Sequence, residues 1–316
     1  MKLQTQLGLQ PGKPPLHYQH PVVLLGSCFA AHIGEKLDYY KFQATVNPFG
    51  ILFHPEAIKT LVERAAADRF YGPDEVFFHN ERWHCFDAHS ELSNPSKEEL
   101  LLLLNARLSA MKEAMNAASH IIITLGTAWG YKRKTSGAWV ANCHKVPQKE
   151  FDKELSAVPE LTATLEKIVG LLQKCNSGVT VIFSVSPVRH LKDGFVENQR
   201  SKAHLIAAVH QCLEKDKGAS YYFPAYELMM DELRDYRFYA ADMIHPNELA
   251  IAYIWEKFKN TWISEAAYGL MEAVGSIQKS LSHKPFHAGS AQHQAFETSL
   301  QERIRELEQA HPYLKF

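Results

Sequence analysis

The sequence predicts an α/β fold in which helices wind both sides of a mostly parallel sheet. Three observations carry this prediction. The apolar runs at residues 21–26, 120–126 and 178–187 are continuous rather than alternating, as in strands buried on both faces. Helical patterns separate the runs, as crossovers between parallel strands require. Chemically distinctive residues (Ser27, Gly126-Thr127 and Ser186-Pro187) stand directly after the runs. Ligands of such sheets bind outside the carboxyl ends of the strands, so these residues converge on one edge.

Each element has its own signal. Residues 1–20, rich in Pro, Gln and His, read as a lead-in lying on the surface. The run 21–26 is the first strand, and over 28–40 Phe29, Ile33 and Leu37 share one helical face. Asn47 to Pro55 is a loop by its Pro and Gly content, and Pro55 opens a helix over 55–68. Loose alternation through Val76, Phe78, Trp83, Cys85 and Phe86 suggests a hairpin within 74–92. A helix follows over 96–118, with Ser96-Lys97-Glu98-Glu99 as a capping box. The region 55–118 reads as an insertion covering the sheet edge.

The second strand, His120 to Gly126, leads into a hairpin over 131–145 that turns at Thr135-Ser136-Gly137. A helix over 158–175, the third strand, a helix over 198–217 and a shorter strand at Tyr221-Tyr222-Phe223 complete the alternation. Asp242 to His245 form a loop before a helix over 247–263, capped by Asn247. Residues 1–263 are thus expected as one domain and 264–316 as a C-terminal helical extension. Within the extension, 280–292 reads as a linker. Residues 292–310 read as an amphipathic helix with Phe296, Leu300, Ile304 and Leu307 on one stripe. That stripe is expected to dock on its own domain; a homodimer contact is the alternative. No internal repeat is visible.

Composition narrows the function. The chain has 316 residues, 46% hydrophobic and 22% charged, with a net charge of −1. Such a balance provides no field to attract nucleic acid or an anionic membrane. The polar start predicts no targeting segment, and no apolar run approaches the roughly 20 residues of a membrane helix. The five cysteines are scattered and form no Cys-x-x-Cys pair, which predicts a reduced, cytoplasmic protein. His79, His84 and His89 lie five apart, a spacing that suits neither a helix face nor a zinc finger, and neither a phosphate loop nor a Gly-x-Ser-x-Gly elbow is present. No metal and no cofactor is expected.

Ester chemistry needs a nucleophile, a base and an acid that orients the base. Ser27 stands at a strand-to-helix turn, near the positive end of a helix dipole. It could instead cap the helix, and the two roles compete for one hydroxyl. Asp242 and His245 lie three apart, so the carboxylate can reach the imidazole without a third segment. A surface loop or a helix-capping Asp would show the same spacing. Cys28 could acquire a lowered pKa at the helix start, but more often a cysteine there packs inward. Arg189 could meet an anionic substrate group or Asp193. His190 is a second substrate-binding candidate, and Trp129 could stack on a sugar ring or line the pocket.

Gly26-Ser27-Cys28-Phe29-Ala30 matches the signature of the bacterial GSCFA family, which resembles a branch of the SGNH (GDSL-like) hydrolases. The similarity spans most of 20–250 and includes Asn47-Pro48-Phe49-Gly50, Thr124 to Trp129, Ser186 to His190 and Asp242 to Pro246. The resemblance implies a flavodoxin-like three-layer α/β/α fold without a metal, and a triad of Ser27, Asp242 and His245. It also implies an oxyanion hole, in which the Ser27 and Gly50 amides would act with Asn47 or Thr127. The asparagine usual in the third block is absent, since Gly126-Thr127-Ala128-Trp129 stands there. The expected activity is hydrolysis of a small ester, an O-acyl group on a carbohydrate being the leading substrate class. An acyltransferase using the same triad and a non-catalytic ligand-binding module are the alternatives.

Overall fold

The computed structural model describes residues 4–216, 218, 220–283 and 290–316. Its centre is a five-stranded parallel sheet. The strands are β1 (Val22–Gly26), β2 (Ala44–Val46), β5 (His120–Leu125), β9 (Thr180–Val185) and β10 (Ser220–Tyr222). Their spatial order is β2-β1-β5-β9-β10. Counting only these five strands, the order is 2-1-3-4-5, which is the doubly wound order with its switch point between β1 and β5.

Both faces of the sheet are covered, which explains the unbroken apolar runs. Val23, Leu25, Ile121, Ile123, Leu125, Val181 and Phe183 point into one core. Helices α2 (Pro55–Ala66), α3 (Lys97–Ala117), α4 (Val158–Cys175) and α5 (Phe195–Lys215) close this side. Val22, Leu24, Ile122 and Ile182 point to the other face. There α1 (Cys28–Tyr39), the short α6 (Ala225–Glu227) and α7 (Glu248–Trp262) pack Phe29, Ile33, Leu37, Ala225, Ile254 and Phe258 against them.

The region 55–118 is therefore not an appendage. Ile58 and Leu61 of α2, and Leu104, Leu108 and Met111 of α3, are fully buried parts of the main core. Outside that layer lies the hairpin β3 (Val76–His79) and β4 (Arg82–Cys85). The hairpin expected after the second strand is present as β6 (Trp129–Arg133) and β7 (Trp139–Val140). It gains a third antiparallel strand, β8 (Phe151–Leu155), not foreseen from the sequence. β8 alternates only weakly, because its middle three residues are exposed.

The lead-in is also more than a surface segment. Leu16 is fully buried and its backbone pairs with the chain leaving α7, through Leu16 N–H to Trp262 O and Ser264 N–H to Leu16 O. Only half of the expected capping box forms. Ser96 Oγ accepts the Glu99 amide at 3.2 Å, but the Ser96 amide goes to Asn94 Oδ1 at 2.8 Å instead of Glu99. Asn247 does cap α7, accepting from Ala250 N–H at 3.1 Å and donating to Arg237 O at 2.6 Å. Asn247→Ala is expected to lower the unfolding free energy by about 1–2 kcal/mol, read as a lower urea midpoint at unchanged slope.

The C-terminal extension begins with α8 (Tyr268–Leu281), a helix the sequence reading left unassigned, and continues with α9 (Ala291–Ala310). Leu300 and Ile304 of α9 bury against Ile277 of α8, while Phe296 on the same stripe stays partly exposed. Of the expected linker, residues 284–289 lie outside the described residues, as does position 217 at the end of the expected 198–217 helix. Among the described residues, no helix is long and apolar enough to cross a membrane.

Candidate functional site at the sheet switch point

β1 ends in Gly26, whose φ of +133° only glycine adopts readily, and α1 begins immediately after Ser27. A Cβ on Gly26 would lie 2.1 Å from Thr124 O, so the two strand ends meet at van der Waals distance. Ser27 occupies the N-cap position with extended backbone angles, yet its side chain caps nothing. Its Oγ is fully buried and has no hydrogen-bond partner among the described residues. The competition between capping and a free hydroxyl is resolved in favour of the free hydroxyl.

Asp242 and His245 form the other half. His245 Nδ1 lies 2.7 Å from Asp242 Oδ2, and Asp242 Oδ1 accepts the amides of Ile244 and His245 at 2.9 and 3.0 Å. Met243, between them, adopts φ +58° to close this tight loop. The imidazole and the two amides hold the Asp242 carboxyl down at about 2, so it is ionised at neutral pH. The structure shows no hydrogen bond from Ser27 to His245. It links their segments through the loop after β9, where Arg189 N–H donates to Ile244 O at 3.2 Å. The next residue, His190, reaches Gly126: a Cβ there would lie 3.2 Å from His190 Nε2 and 3.1 Å from Phe53 Cβ.

The expected oxyanion donors are mostly engaged. The Ser27 amide donates to Thr124 O at 3.0 Å and the Gly50 amide to Asn47 O at 2.7 Å. The Thr127 hydroxyl accepts from Trp129 N–H and pairs with Ser201 Oγ, both at 3.0 Å. Each of these three groups thus has a partner within the chain, joining the strand ends and loops. Asn47 differs. Its Oδ1 accepts the Gly26 amide at 2.8 Å, while its Nδ2 is buried without a partner among the described residues. Of the named donors, only this amide is free.

Of the flanking candidates, Trp129 and Arg189 have structural partners. The Trp129 indole donates to Glu197 O at 3.3 Å beneath the Lys153 ammonium. Arg189 does not pair with Asp193, which is taken by Lys153; its guanidinium lies 4.0 Å from the centre of the Tyr239 ring. His190 Nε2 is buried without a partner among the described residues, and burial, then the nearby Lys202 charge, pushes the imidazole down to about 3, so it is neutral. The Cys28 thiol is pushed up, chiefly by burial, contrary to the lowered value a helix start can confer. Among the histidines, His84 is spent on Ser93 Oγ at 2.6 Å and His79 O at 2.9 Å. No group of three or more His, Cys, Asp or Glu side chains among the described residues is arranged to hold a metal.

Sequence reasoning missed Lys202. It is fully buried on α5 and donates to Gly126 O at 2.6 Å and Ser186 O at 2.8 Å, at the ends of β5 and β9. A signal existed. Asn198, Lys202, Leu205, Val209 and Cys212 recur at the spacing of one buried stripe, where a lysine is out of place unless it meets acceptors.

Fold and site together define a doubly wound α/β/α protein with its polar centre at the β1/β5 switch point. The chain belongs to the GSCFA family, whose model matches residues 21–258, and the model of the GSCFA domain protein C-terminal domain matches 274–316. Among curated proteins, no match to the sequence is found. Two solved structures are similar at low identity. One is an acetyl xylan esterase from the rumen bacterium Butyrivibrio proteoclasticus, at 10% identity and a TM-score of 0.39, covering 81% of this chain and 66% of that one. The chain thus spans slightly less than two thirds of that esterase. The other is a carbohydrate esterase of family 3 from Talaromyces cellulolyticus, at 8% identity and a TM-score of 0.37, covering 80% of this chain and 98% of that one.

Proposed function

We propose that the protein is a serine hydrolase that cleaves a small ester, with an O-acyl group on a carbohydrate as its substrate class. The observation that carries the reading is the Ser27 hydroxyl, which stands at a helix start without capping it and without any other partner. The resemblance to serine hydrolases and the 2.7 Å contact between Asp242 and His245 support it.

In this reading His245 takes the Ser27 proton as Oγ bonds to the substrate carbonyl carbon, and the carbonyl electron pair moves onto its oxygen. Asp242, held ionised, keeps the imidazole in one tautomer and stabilises its charged form. Asn47 Nδ2 is the donor proposed for the developing oxyanion. Collapse breaks the ester C–O bond, and the departing alcohol receives the proton from His245. Water then repeats the sequence on the acyl-enzyme. Since Ser27 is fully buried, the reaction requires the structure around it to open and admit the substrate.

That burial, and the three engaged donors, favour one other reading: a ligand-binding module that kept the fold. A fluorophosphonate probe separates the two. Covalent mass on the Ser27 peptide of the full chain is expected; an unmodified Ser27 under prolonged exposure would remove the hydrolase reading.

A further inference from the structure

We propose that Lys202 is a positioning residue of this site, whose ammonium is the fixed positive charge against which the anionic tetrahedral intermediate at Ser27 forms. The inference rests on the hydrolase reading above and adds a group that the triad does not contain.

The geometry is unusual for a lysine. The side chain is fully buried, and among the described residues no carboxylate lies within 4 Å of its ammonium. An ammonium carries three donors. Two are held by the carbonyls of Gly126 and Ser186, which directly follow β5 and β9. A purely structural tie between strand ends could be made by a neutral donor without the cost of burying a charge. A buried cation with no counter-ion leaves its field unneutralised, which suits an anion that is present only part of the time.

Its neighbours point the same way. Cys28, adjacent to Ser27, lies close enough for the two charges to interact, but its thiol is pushed up and stays protonated. His190, from the loop after β9, is held neutral. Tyr226, whose ring centre lies 5.8 Å from the ammonium, is also pushed up and neutral. None of these neighbours offers Lys202 a resting negative charge, so its field is available to a substrate oxygen that becomes negative.

Burial alone, offset slightly by Cys28, brings the ammonium down to about 7. The cation is therefore lost as pH rises through about 7, and with it the stabilisation of the intermediate. Activity should fall on the alkaline side as the cation is lost.

The test compares p-nitrophenyl acetate turnover by the wild type, Lys202→Arg and Lys202→Met over roughly pH 5–9, with thermal melting of each. The wild type should show an alkaline limb near 7. Lys202→Arg, always charged, should lose that limb while keeping activity. Lys202→Met should fold but lose about 10²–10³ in kcat, with KM little changed. Wild-type rate and profile in Lys202→Met would overturn the inference while leaving the triad intact. If Lys202→Met does not fold, an alkaline limb identical in wild type and Lys202→Arg overturns it equally. If wild-type turnover does not depend on Ser27, the hydrolase reading fails and this inference falls with it.

Discussion

Ser27→Ala is expected to lower hydrolysis of p-nitrophenyl acetate by roughly 10⁴–10⁶, to the level of contaminating or uncatalysed reaction. The size follows from the role: without the nucleophile there is no acyl-enzyme, and what remains is binding and field effects. The same change should leave the fold intact and raise its stability by about 1 kcal/mol. Ser27 Oγ is buried, caps nothing and has no partner, so the native state carries its desolvation cost without return. Activity and stability would then move in opposite directions, the signature of a side chain kept for function. Urea unfolding of wild type and variant measures the second part. A stability loss above about 1 kcal/mol would mean that the hydroxyl serves as a structural cap, and equal turnover would end the triad assignment.

Gly26→Ala should be the most damaging single-methyl change at the site, costing about 2–6 kcal/mol. Two effects add. At φ +133° a side chain brings about 1–3 kcal/mol of backbone strain. Its Cβ would also lie 2.1 Å from Thr124 O, a main-chain atom of the neighbouring strand that cannot swing aside. Opening the sheet to accommodate it costs about another 1–3 kcal/mol. Against a total stability of roughly 5–15 kcal/mol, much of the protein should unfold or aggregate at 37 °C. A urea midpoint within error of wild type would show that β1 and β5 do not approach as closely as described. By contrast a Cβ on Gly178, at the start of the third apolar run, meets nothing closer than 3.6 Å, so the effect belongs to the switch point and not to glycine as such.

Much of the architecture could be read along the chain because it is written in local pattern. β1, β5 and β9 are buried on both faces, which leaves an unbroken apolar run in each. The helices over 97–117, 158–175 and 248–262 lay their apolar residues on one stripe. The edge strand β2 was not legible. It is three residues long and half-buried, and pairing with β1 rather than its own composition makes it a strand. The burial of Leu16 was hidden for a similar reason, since its partners follow α7 roughly 250 residues later.

What the sequence by itself determined about this protein is the alternation of strands and helices, the placing of Ser27 after the first strand, and the pairing of Asp242 with His245, three residues apart on one loop. Each depends on neighbours within a few residues, where the backbone leaves little choice. Only the tertiary structure decided which of the amides near Ser27 were already taken, that its hydroxyl stayed free of the helix it begins, and that Lys202, on a stripe whose burial is legible, found its acceptors at two strand ends. Those outcomes depend on how distant segments share a limited set of hydrogen-bond partners once water is excluded, and no local pattern records that distribution.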